Sequence, residues 1–162
     1  VILGAGGVAR TMAYEATMAG CFVVLAVRPK SLSHAAALSG AIRNDVHNGD
    51  TETCRLDCLS GHIDLLINAT PVGMYPNPDE MPVSREVLED TDYVFDAVYN
   101  PMDTKLVKTA RECGCKALGG LSMLVWQAAA AHQIWDGSQY TCDEIAALCE
   151  ETKRELLRLF PE

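Results

Sequence analysis

The sequence predicts an α/β domain built on a doubly wound, mostly parallel sheet with helices on both faces. Short and almost wholly apolar runs recur along the chain, and stretches with helical spacing separate them. Such runs show little alternation of apolar and polar residues, which is typical of strands buried on both faces of a parallel sheet. Strands that alternate with helices indicate βαβ units, and these units build a sheet of this kind.

Six strands and five helices are predicted from these patterns. We place the strands at Val1–Leu3, Phe22–Val27, Thr53–Leu56, Asp64–Asn68, Tyr93–Ala97 and Lys116–Leu118. We place the helices at Val8–Ala19, from Ser31 or Ser33 as cap to about Arg43, at Thr104–Cys113, Leu121–Trp135 and Cys142–Phe160. Gly20 and Gly114 follow two of these helices as C-terminal stops, and Thr141 with Glu144 forms a capping box before the last one. The chain is therefore predicted to be one domain, residues 1–162, with a helical C-terminal segment.

Composition and charge exclude several function classes. The net charge is −9, whereas proteins that bind nucleic acid or membrane surfaces favour basic faces, so neither partner is expected. No apolar run approaches the ~20 residues of a membrane span, and no secretory signal is visible. The seven cysteines are an odd number without a two-pair zinc spacing, so we expect reduced, mostly buried thiols, no metal site and a cytoplasmic location.

The stretch GAGGVA at residues 4–9 predicts a dinucleotide site, because it follows a strand and opens a helix. In the pattern G-x-G-x-x-A, Gly4 permits a tight turn, Gly6 lets the backbone approach a pyrophosphate, and Ala9 lets helix and strand pack closely. The helix N-terminus adds free N–H groups and a partial positive charge. The predicted domain is therefore Rossmann-like. The alternative is a glycine-rich turn in an unrelated α/β protein.

The residues after the second strand favour NADP over NAD. NAD-specific folds place an acid there to bond the ribose 2′-hydroxyl, whereas this chain has Arg28, followed by Lys30 and Ser31. Arg28 can form a bidentate pair with a 2′-phosphate and stack on adenine, and Lys30 adds a positive charge. The alternative is that both cations are solvated surface residues.

Three further segments are expected at the same rim of the sheet. Residues 68–74 (NATPVGM) follow the fourth strand, residues 96–101 (DAVYNP) follow the fifth, and residues 119–124 (GGLSML) open a helix nearby. Ligands of open α/β sheets bind at the carboxyl ends of the strands, so Thr70 and its neighbours are expected to face the cofactor. The loop that continues to Pro82 carries four prolines, and loops of such length are often functional.

In order along the chain, these segments resemble the C-terminal, NADP-binding half of shikimate dehydrogenase. The resemblance rests on the glycine turn, Arg28, NATPVGM, Asp96-x-Val-Tyr-x-Pro with Thr104 and Leu106, and Gly119-Gly120-x-x-Met-Leu-x-x-Gln-Ala-Ala ending in Trp135-x-Gly137. It extends from Val1 to about Gly137, and its later motifs are more specific than the glycine turn. Glutamyl-tRNA reductase shares the glycine turn and the arginine but lacks the last segment.

The resemblance implies a cofactor site and part of a substrate site. The cofactor-binding residues would be Gly4, Ala5, Gly6, Gly7, Val8, Arg28, Lys30, Ser31, Ala69, Thr70, Val72, Ala97 and Gly120. Tyr99 and Gln127 would reach the hydroxyls or carboxylate of shikimate. The family reversibly reduces 3-dehydroshikimate to shikimate with NADPH in aromatic amino acid biosynthesis. NADP is thus the expected cofactor, and shikimate or 3-dehydroshikimate the expected ligand.

The chain also departs from the family pattern. Val27 stands where the family often has Asn, Leu32 where it has a second arginine, and His132 where an aromatic residue is common. The family's catalytic Lys and Asp belong to an N-terminal substrate domain, and no lysine here matches that motif, so no catalytic residue is expected. Because Val1 already lies in a strand, we expect a piece of a longer protein that binds NADP(H) without turnover. Residues 138–162 would then pack partly on the substrate domain.

Two other functions, and a dimeric as well as a monomeric state, are compatible with the sequence. The first function is an NAD-dependent quinate/shikimate dehydrogenase, against which the absence of an acid near Val27 counts. The second is a non-catalytic module that senses NADPH, which would not need the substrate contacts of Tyr99 and Gln127. A homodimer is also compatible with the sequence.

Overall fold

The computed structural model describes residues 1–159 and contains a six-stranded parallel sheet. Its strands are β1 (Ile2–Leu3), β2 (Val23–Val27), β3 (Thr51–Arg55), β4 (Ile63–Asn68), β5 (Thr91–Asp96) and β6 (Lys116–Leu118). The order across the sheet is β3-β2-β1-β4-β5-β6, and every neighbouring pair is parallel. The predicted doubly wound sheet is therefore confirmed.

The helices are α1 (Gly7–Met18), α2 (Leu32–Asp45), α3 (Arg85–Glu89), α4 (Lys105–Glu112), α5 (Leu121–Asp136) and α6 (Cys142–Leu159). All five predicted helices are present. The short α3 was not predicted, because five residues are too few to show helical periodicity. Phe160, the predicted end of the last helix, lies outside the described residues. None of the helices within residues 1–159 has both the length and the apolar composition needed to cross a membrane.

The strand boundaries follow the pairing with neighbouring strands more closely than the apolar runs. β3 and β5 both begin earlier than predicted, since Thr51 pairs with Val23 and Thr91 pairs with Ile63. Both threonines are buried. A threonine can extend a strand at such a position because its β-branched side chain suits the pleated backbone.

The sheet buries a hydrophobic cluster on each face. Ile2 of β1 packs with Ala9 of α1 and Ile42 of α2 on one face. Leu3, the next residue of the same strand, packs with Leu106 of α4 on the other face. Successive strand residues point to opposite faces, so the short central strand contributes to both halves of the core.

Two glycines end helices as predicted. Gly20 has φ +85°, its N–H donates to Thr17 O at 3.0 Å, and the Cys21 N–H donates to Ala16 O at 3.0 Å. Gly114 repeats this pattern after α4 with φ +90°, and its N–H donates to Arg111 O at 3.1 Å. Glycine is favoured here because it tolerates positive φ without steric cost.

The prediction that a serine side chain caps α2 is wrong. Ser31 directly precedes the helix, but its hydroxyl makes no capping hydrogen bond. The reason is a 3-10 turn over Pro29–Ser31, which leaves Ser31 at φ −106° and ψ 1° instead of the extended conformation from which a side chain caps a helix.

α5 and α6 pack on each other rather than on the main core. Val125 and Ala129 of α5 contact Ile145 of α6 in a cluster of their own. On the other side of α5, Ile134 is 82% exposed and Trp135 is 76% exposed. That α6 packs on a further domain stays a prediction.

The expectation of mostly buried cysteines is wrong. All seven are free thiols, but only Cys115 is buried, while Cys21, Cys58 and Cys142 are exposed. These three lie after α1, in the 3-10 turn over Leu56–Cys58 and at the start of α6. Connections and helix starts run along the surface, which explains their exposure.

The capping box of α6 supplies a first test. The Glu144 N–H donates to Thr141 Oγ1 at 3.3 Å, and the Thr141 N–H donates to the Glu144 carboxylate at 2.8 Å. Thr141→Ala should destabilise α6 locally by about 1 kcal/mol, because it removes this cap. Amide hydrogen exchange should accelerate in α6 and stay unchanged in the sheet strands.

The matched control for this test is Thr152→Ala. Thr152 lies within the same helix, and its hydroxyl donates only to the Leu148 carbonyl of the preceding turn at 2.7 Å. This change should leave the exchange of the first turn as it is. Equal acceleration in α6 and in the sheet after Thr141→Ala would contradict the view that α6 is a separate packing unit.

Candidate functional site

The predicted cofactor residues meet along one edge of the sheet. Gly4 directly follows β1, Arg28 follows β2, Ala69 follows β4 and Ala97 follows β5, while Gly120 lies just beyond β6. All strands are parallel, so their carboxyl ends share this edge. Helices that follow β1 and β2 cover one face, and those that follow β4 and β5 cover the other. The edge between β1 and β4 is therefore the topological switch point, where open α/β sheets bind ligands.

The glycine turn has one position that the fold requires and two that face open space. Gly4 has φ +106°, and a Cβ there would lie 3.1 Å from Thr70 Cγ2 and 3.3 Å from Ala69 O. A Cβ at Gly6 or Gly7 would meet nothing within 4 Å. The chain itself therefore needs glycine at position 4. The missing side chains at positions 6 and 7 leave room for a ligand to approach the backbone.

No side chain of residues 1–159 caps the N-terminus of α1, the positive end of its helix dipole. Gly6 is the N-cap in an extended conformation, no side chain caps the helix, and its first turn holds no acidic residue. The first-turn N–H groups and the helix dipole are consequently available to an anion. Ala5 and Ala9 are buried under the turn, as the small-residue pattern predicts, and Val8 is half exposed at its rim.

Two cations stand beside this turn. The Leu3–Ala26 register of β1 and β2 places Arg28 at the strand end next to Gly4. The side chains of Arg28 and Lys30 are exposed and form neither a hydrogen bond nor an ion pair with any residue of the range 1–159. Ser31 is half buried in the turn that follows. A solvated surface would also show exposed cations, but their place beside an open helix N-terminus favours a site for phosphate groups.

A buried polar network lies directly behind the edge. The Asp96 side chain is 0% exposed, and both of its oxygens accept hydrogen bonds. Oδ1 accepts from Asn68 Nδ2 at 2.9 Å and from the Val98 N–H at 3.0 Å, and Oδ2 accepts from the Thr104 hydroxyl at 2.6 Å. Burial raises the pKa of Asp96, and the hydrogen bonds from Thr104, Val98 and Asn68 oppose that shift.

Asn68 extends this network into the loop after β4. Its Oδ1 accepts from the Thr70 N–H at 3.1 Å and the Thr70 hydroxyl at 2.6 Å, while its Nδ2 also donates to Val72 O at 3.2 Å. We call Asn68, Thr70, Asp96 and Thr104 the Asp96 network. The sequence predicted that Thr70 faces the cofactor and assigned no role to Asn68, Asp96 or Thr104. The available signal was a polar residue that ends an otherwise apolar, buried strand.

The double glycine before α5 brings that helix against the loop after β5. The Gly120 N–H donates to Val98 O at 3.0 Å. A Cβ at Gly120 would lie 2.7 Å from Ala97 C and overlap Ala97 O, and a Cβ at Gly119 would lie 2.6 Å from Met102 O. Tyr99 is exposed on this loop, and Gln127 is exposed on α5. Both candidate substrate contacts thus belong to segments that join at Gly120.

Other candidate groups lie away from this edge or are already paired. His132 is exposed on α5, where its Nδ1 lies 3.1 Å from Asp136 Oδ2. His62, Asp64 and Asp92 bring potential ligand atoms within 4.8 Å of one another, and all three are exposed. They lie at the amino ends of β4 and β5, the opposite edge, and His62 is also 3.4 Å from a carboxylate oxygen of Asp92. The absence of a metal site stays a prediction.

Known proteins resemble this chain in sequence and in fold, although no family model matches it. The shikimate dehydrogenase (NADP(+)) of Methanocaldococcus jannaschii is 37% identical over 141 residues, which cover 85% of this chain and 49% of that protein. A crystal structure of a shikimate dehydrogenase in complex with NADP+ has a TM-score of 0.78 and 35% identity, covering 93% of this chain and 53% of the other. A quinate dehydrogenase from Corynebacterium glutamicum in complex with NAD has a TM-score of 0.81 and 29% identity, over 94% and 54% of the two chains. The chain spans about half the length of the curated relatives it matches.

The close approach at Gly120 supplies a second test. Gly120→Ala should lower the free energy of unfolding by about 2 kcal/mol or more, because a Cβ would overlap backbone atoms that cannot move away cheaply. Gly40→Ala is the matched control, since Gly40 lies inside α2 and a Cβ there meets nothing within 4 Å. It should raise stability by about 0.5–1 kcal/mol through helix propensity. Chemical denaturation measures both, and a Gly120→Ala protein as stable as the parent would contradict this packing.

Proposed function

This chain is related to the shikimate dehydrogenases, and on that premise we propose that it forms the NADP-binding part of an enzyme that interconverts 3-dehydroshikimate and shikimate. The observation that carries the proposal is the open glycine turn at the switch point, with the unpaired α1 N-terminus and Arg28 beside it. Each of these three features suits a phosphate group. Together they suit a dinucleotide that carries a third phosphate on one ribose.

The phosphate end of NADP would be held by the backbone and by cations. The pyrophosphate would lie over residues 4–8, where Gly6 and Gly7 leave the space free. Arg28 would pair with the 2′-phosphate through two parallel N–H donors, and Lys30 and Ser31 would add a charge and a hydroxyl. Such a local site is needed because the net charge of the chain is −9, which by itself repels polyphosphates.

The nicotinamide end would lie along the loops after β4 and β5. Ala69, Thr70 and Val72 would line the cofactor, with Ala97 and Gly120 near the ring. Bound NADPH supplies the hydride for the carbonyl of 3-dehydroshikimate. Tyr99 and Gln127 would hold the substrate, because a phenol and an amide can both donate to carboxylate oxygens and accept from hydroxyls.

No residue of this chain is proposed as the acid or base of the reaction. Asp96 is fully buried and both of its oxygens already accept hydrogen bonds from the fold, so it does not reach a substrate. We place the catalytic Lys and Asp in the part of the relatives that this chain does not span. The exposed apolar residues of α6, Leu148 and Leu157, are the surface we expect that part to cover.

Use of NAD with quinate or shikimate is the second candidate, and the relative from Corynebacterium glutamicum, a quinate dehydrogenase in complex with NAD, favours it. Against it stands the end of β2, where Val27 is followed by Arg28 and no carboxylate is available for a ribose 2′-hydroxyl. A module that only senses NADPH would not need the substrate contacts proposed for the exposed Tyr99 and Gln127. NADP-dependent shikimate chemistry accounts for all of these residues.

The role of Arg28 can be tested by fluorescence titration with NADPH and NADH. Arg28→Ala should weaken NADPH binding by about 1.5–3 kcal/mol, the scale of a hydrogen bond to a charged group, and leave NADH binding nearly unchanged. Arg85→Ala is the matched control, since Arg85 is exposed on α3 and pairs with Glu112. It should affect neither ligand. Equal affinities of the parent chain for NADPH and NADH would refute the role given to Arg28.

The prediction that this chain binds the cofactor but does not catalyse the reaction can be tested on the unmodified chain. We expect saturable NADPH binding, and no change of NADPH absorbance when shikimate and NADP+ are supplied together, because we place the proton-transferring pair outside this chain. Turnover by this chain alone would contradict the placement of that pair elsewhere. Failure to bind NADPH in a folded sample would contradict the proposed function itself.

A further inference from the structure

One buried carboxylate joins three segments of the cofactor edge. The donors to Asp96 come from Asn68 at the end of β4, from the Val98 N–H in the loop that carries Tyr99, and from Thr104 at the start of α4. Thr104 is itself the N-cap of α4 and accepts from the Val107 N–H at 3.3 Å. The three side chains of Asn68, Asp96 and Thr104 are each 0% exposed. None of them can touch a bound ligand directly.

The Asp96 network continues to the glycine turn. Asn68 holds Thr70 by two hydrogen bonds, and the Thr70 methyl group limits the space at Gly4. A path of neighbouring groups therefore runs from the phosphate turn, through the loop after β4, to the loop after β5. The two loops proposed for the nicotinamide end are connected through Asp96.

The chemistry of a carboxylate explains why Asp, and not its amide, stands at this position. An ionised carboxylate only accepts hydrogen bonds, so it takes the NH₂ group of Asn68, which also donates to Val72 O. The Asn68 carbonyl oxygen must then point to Thr70, as observed. An amide at position 96 would keep one oxygen for Asn68 and the Val98 N–H but would place its NH₂ group against the Thr104 hydroxyl, so the hydrogen bond that Thr104 donates would be lost.

We propose that Asp96 is a positioning residue for the nicotinamide end of the site: by accepting from Asn68, the Val98 N–H and Thr104 together, it fixes the relative placement of the loops that carry Thr70 and Tyr99. This inference rests on the proposed function, because the nicotinamide end is assigned there. It predicts that the Asp96 network acts on the nicotinamide end and leaves the adenosine end, held at Arg28, unaffected.

The burial of Asp96 separates this role from simple structural support. Because burial raises its pKa, its contribution to stability is greatest below the ordinary pKa of Asp and is lost as the pH rises through the folded-state value. At neutral pH the buried charge is therefore a cost to folding, and Asp96→Asn removes it. A loss of NADPH affinity without a fall in Tm would not be expected from a residue that only supports the fold.

The experiment compares the binding of two ligands to this chain and to its variants Asp96→Asn, Thr104→Val and Thr104→Ser. NADPH occupies the whole site, whereas 2′,5′-ADP occupies only the adenosine end. Asp96→Asn and Thr104→Val should weaken NADPH about tenfold, the scale of one lost buried hydrogen bond, and change 2′,5′-ADP less than about twofold. Thr104→Ser keeps the hydroxyl and should restore NADPH binding. The Thr104 pair makes the same comparison if Asp96→Asn does not fold.

Ser39→Ala is the control for a buried polar change away from the site. Ser39 is buried, and its hydroxyl lies 2.6 Å from Thr51 Oγ1 at the amino end of β3, on the opposite edge. It should lower Tm and leave both ligands unchanged. Equal weakening of NADPH and 2′,5′-ADP, or unchanged NADPH binding in Asp96→Asn and Thr104→Val, would overturn the positioning role alone. A folded parent chain that binds neither ligand would instead overturn the proposed function, and this inference with it.

Discussion

The parallel pairing of β1 with β4 determines where the other parts of this structure lie. β1 has only two residues, and Ile2 and Leu3 pair with Ile67 and Asn68 on one side and with Leu25 and Ala26 on the other. Because the helices leave β1 and β4 toward opposite faces, a crevice opens between their carboxyl ends. The same register brings the glycine turn against the loop after β4, where Gly4 meets Thr70.

Positive groups beside the glycine turn and an acidic cluster around His62 lie at opposite edges of the sheet. At the carboxyl edge, the α1 N-terminus, Arg28 and Lys30 present positive charge, and the one acidic side chain of the network, Asp96, is buried and accepts hydrogen bonds through both of its oxygens. At the amino edge of β4 and β5, Asp64 and Asp92 surround His62. An acidic protein can in this way still offer a local site for phosphate groups, because screening limits the reach of the distant acids to about 10 Å.

The α5–α6 hairpin differs from the sheet domain in how it is stabilised. The sheet has a cluster on each face, whereas the hairpin rests on the contact of Val125 and Ala129 with Ile145. Its anchor to the domain is the start of α5, where Gly120 lies on Ala97 and Val98. The exposed Ile134 and Trp135 are compatible with the prediction that this segment packs on a further domain.

The strands, the long helices and the phosphate turn could be predicted from the sequence because each has a local signal. Apolar runs mark the strands, glycines that tolerate positive φ end α1 and α4, and Thr141 with Glu144 caps α6 through neighbours in the chain. The sequence did not predict the conformation of Ser31, whose backbone is not extended as a capping residue requires. It also did not predict α3, which is too short to show helical periodicity.

The tertiary structure alone decided how the polar residues of the edge combine. Asn68 and Asp96 are visible in the sequence as polar ends of apolar strands, but their bond depends on the register of β4 with β5, which pairs these two residues directly. Likewise the double glycine is visible, but the carbonyl groups that a Cβ would strike, those of Ala97 and Met102, belong to another part of the chain. The physical reason is that hydrogen bonds and close contacts between distant segments depend on strand order and register, which no local pattern contains.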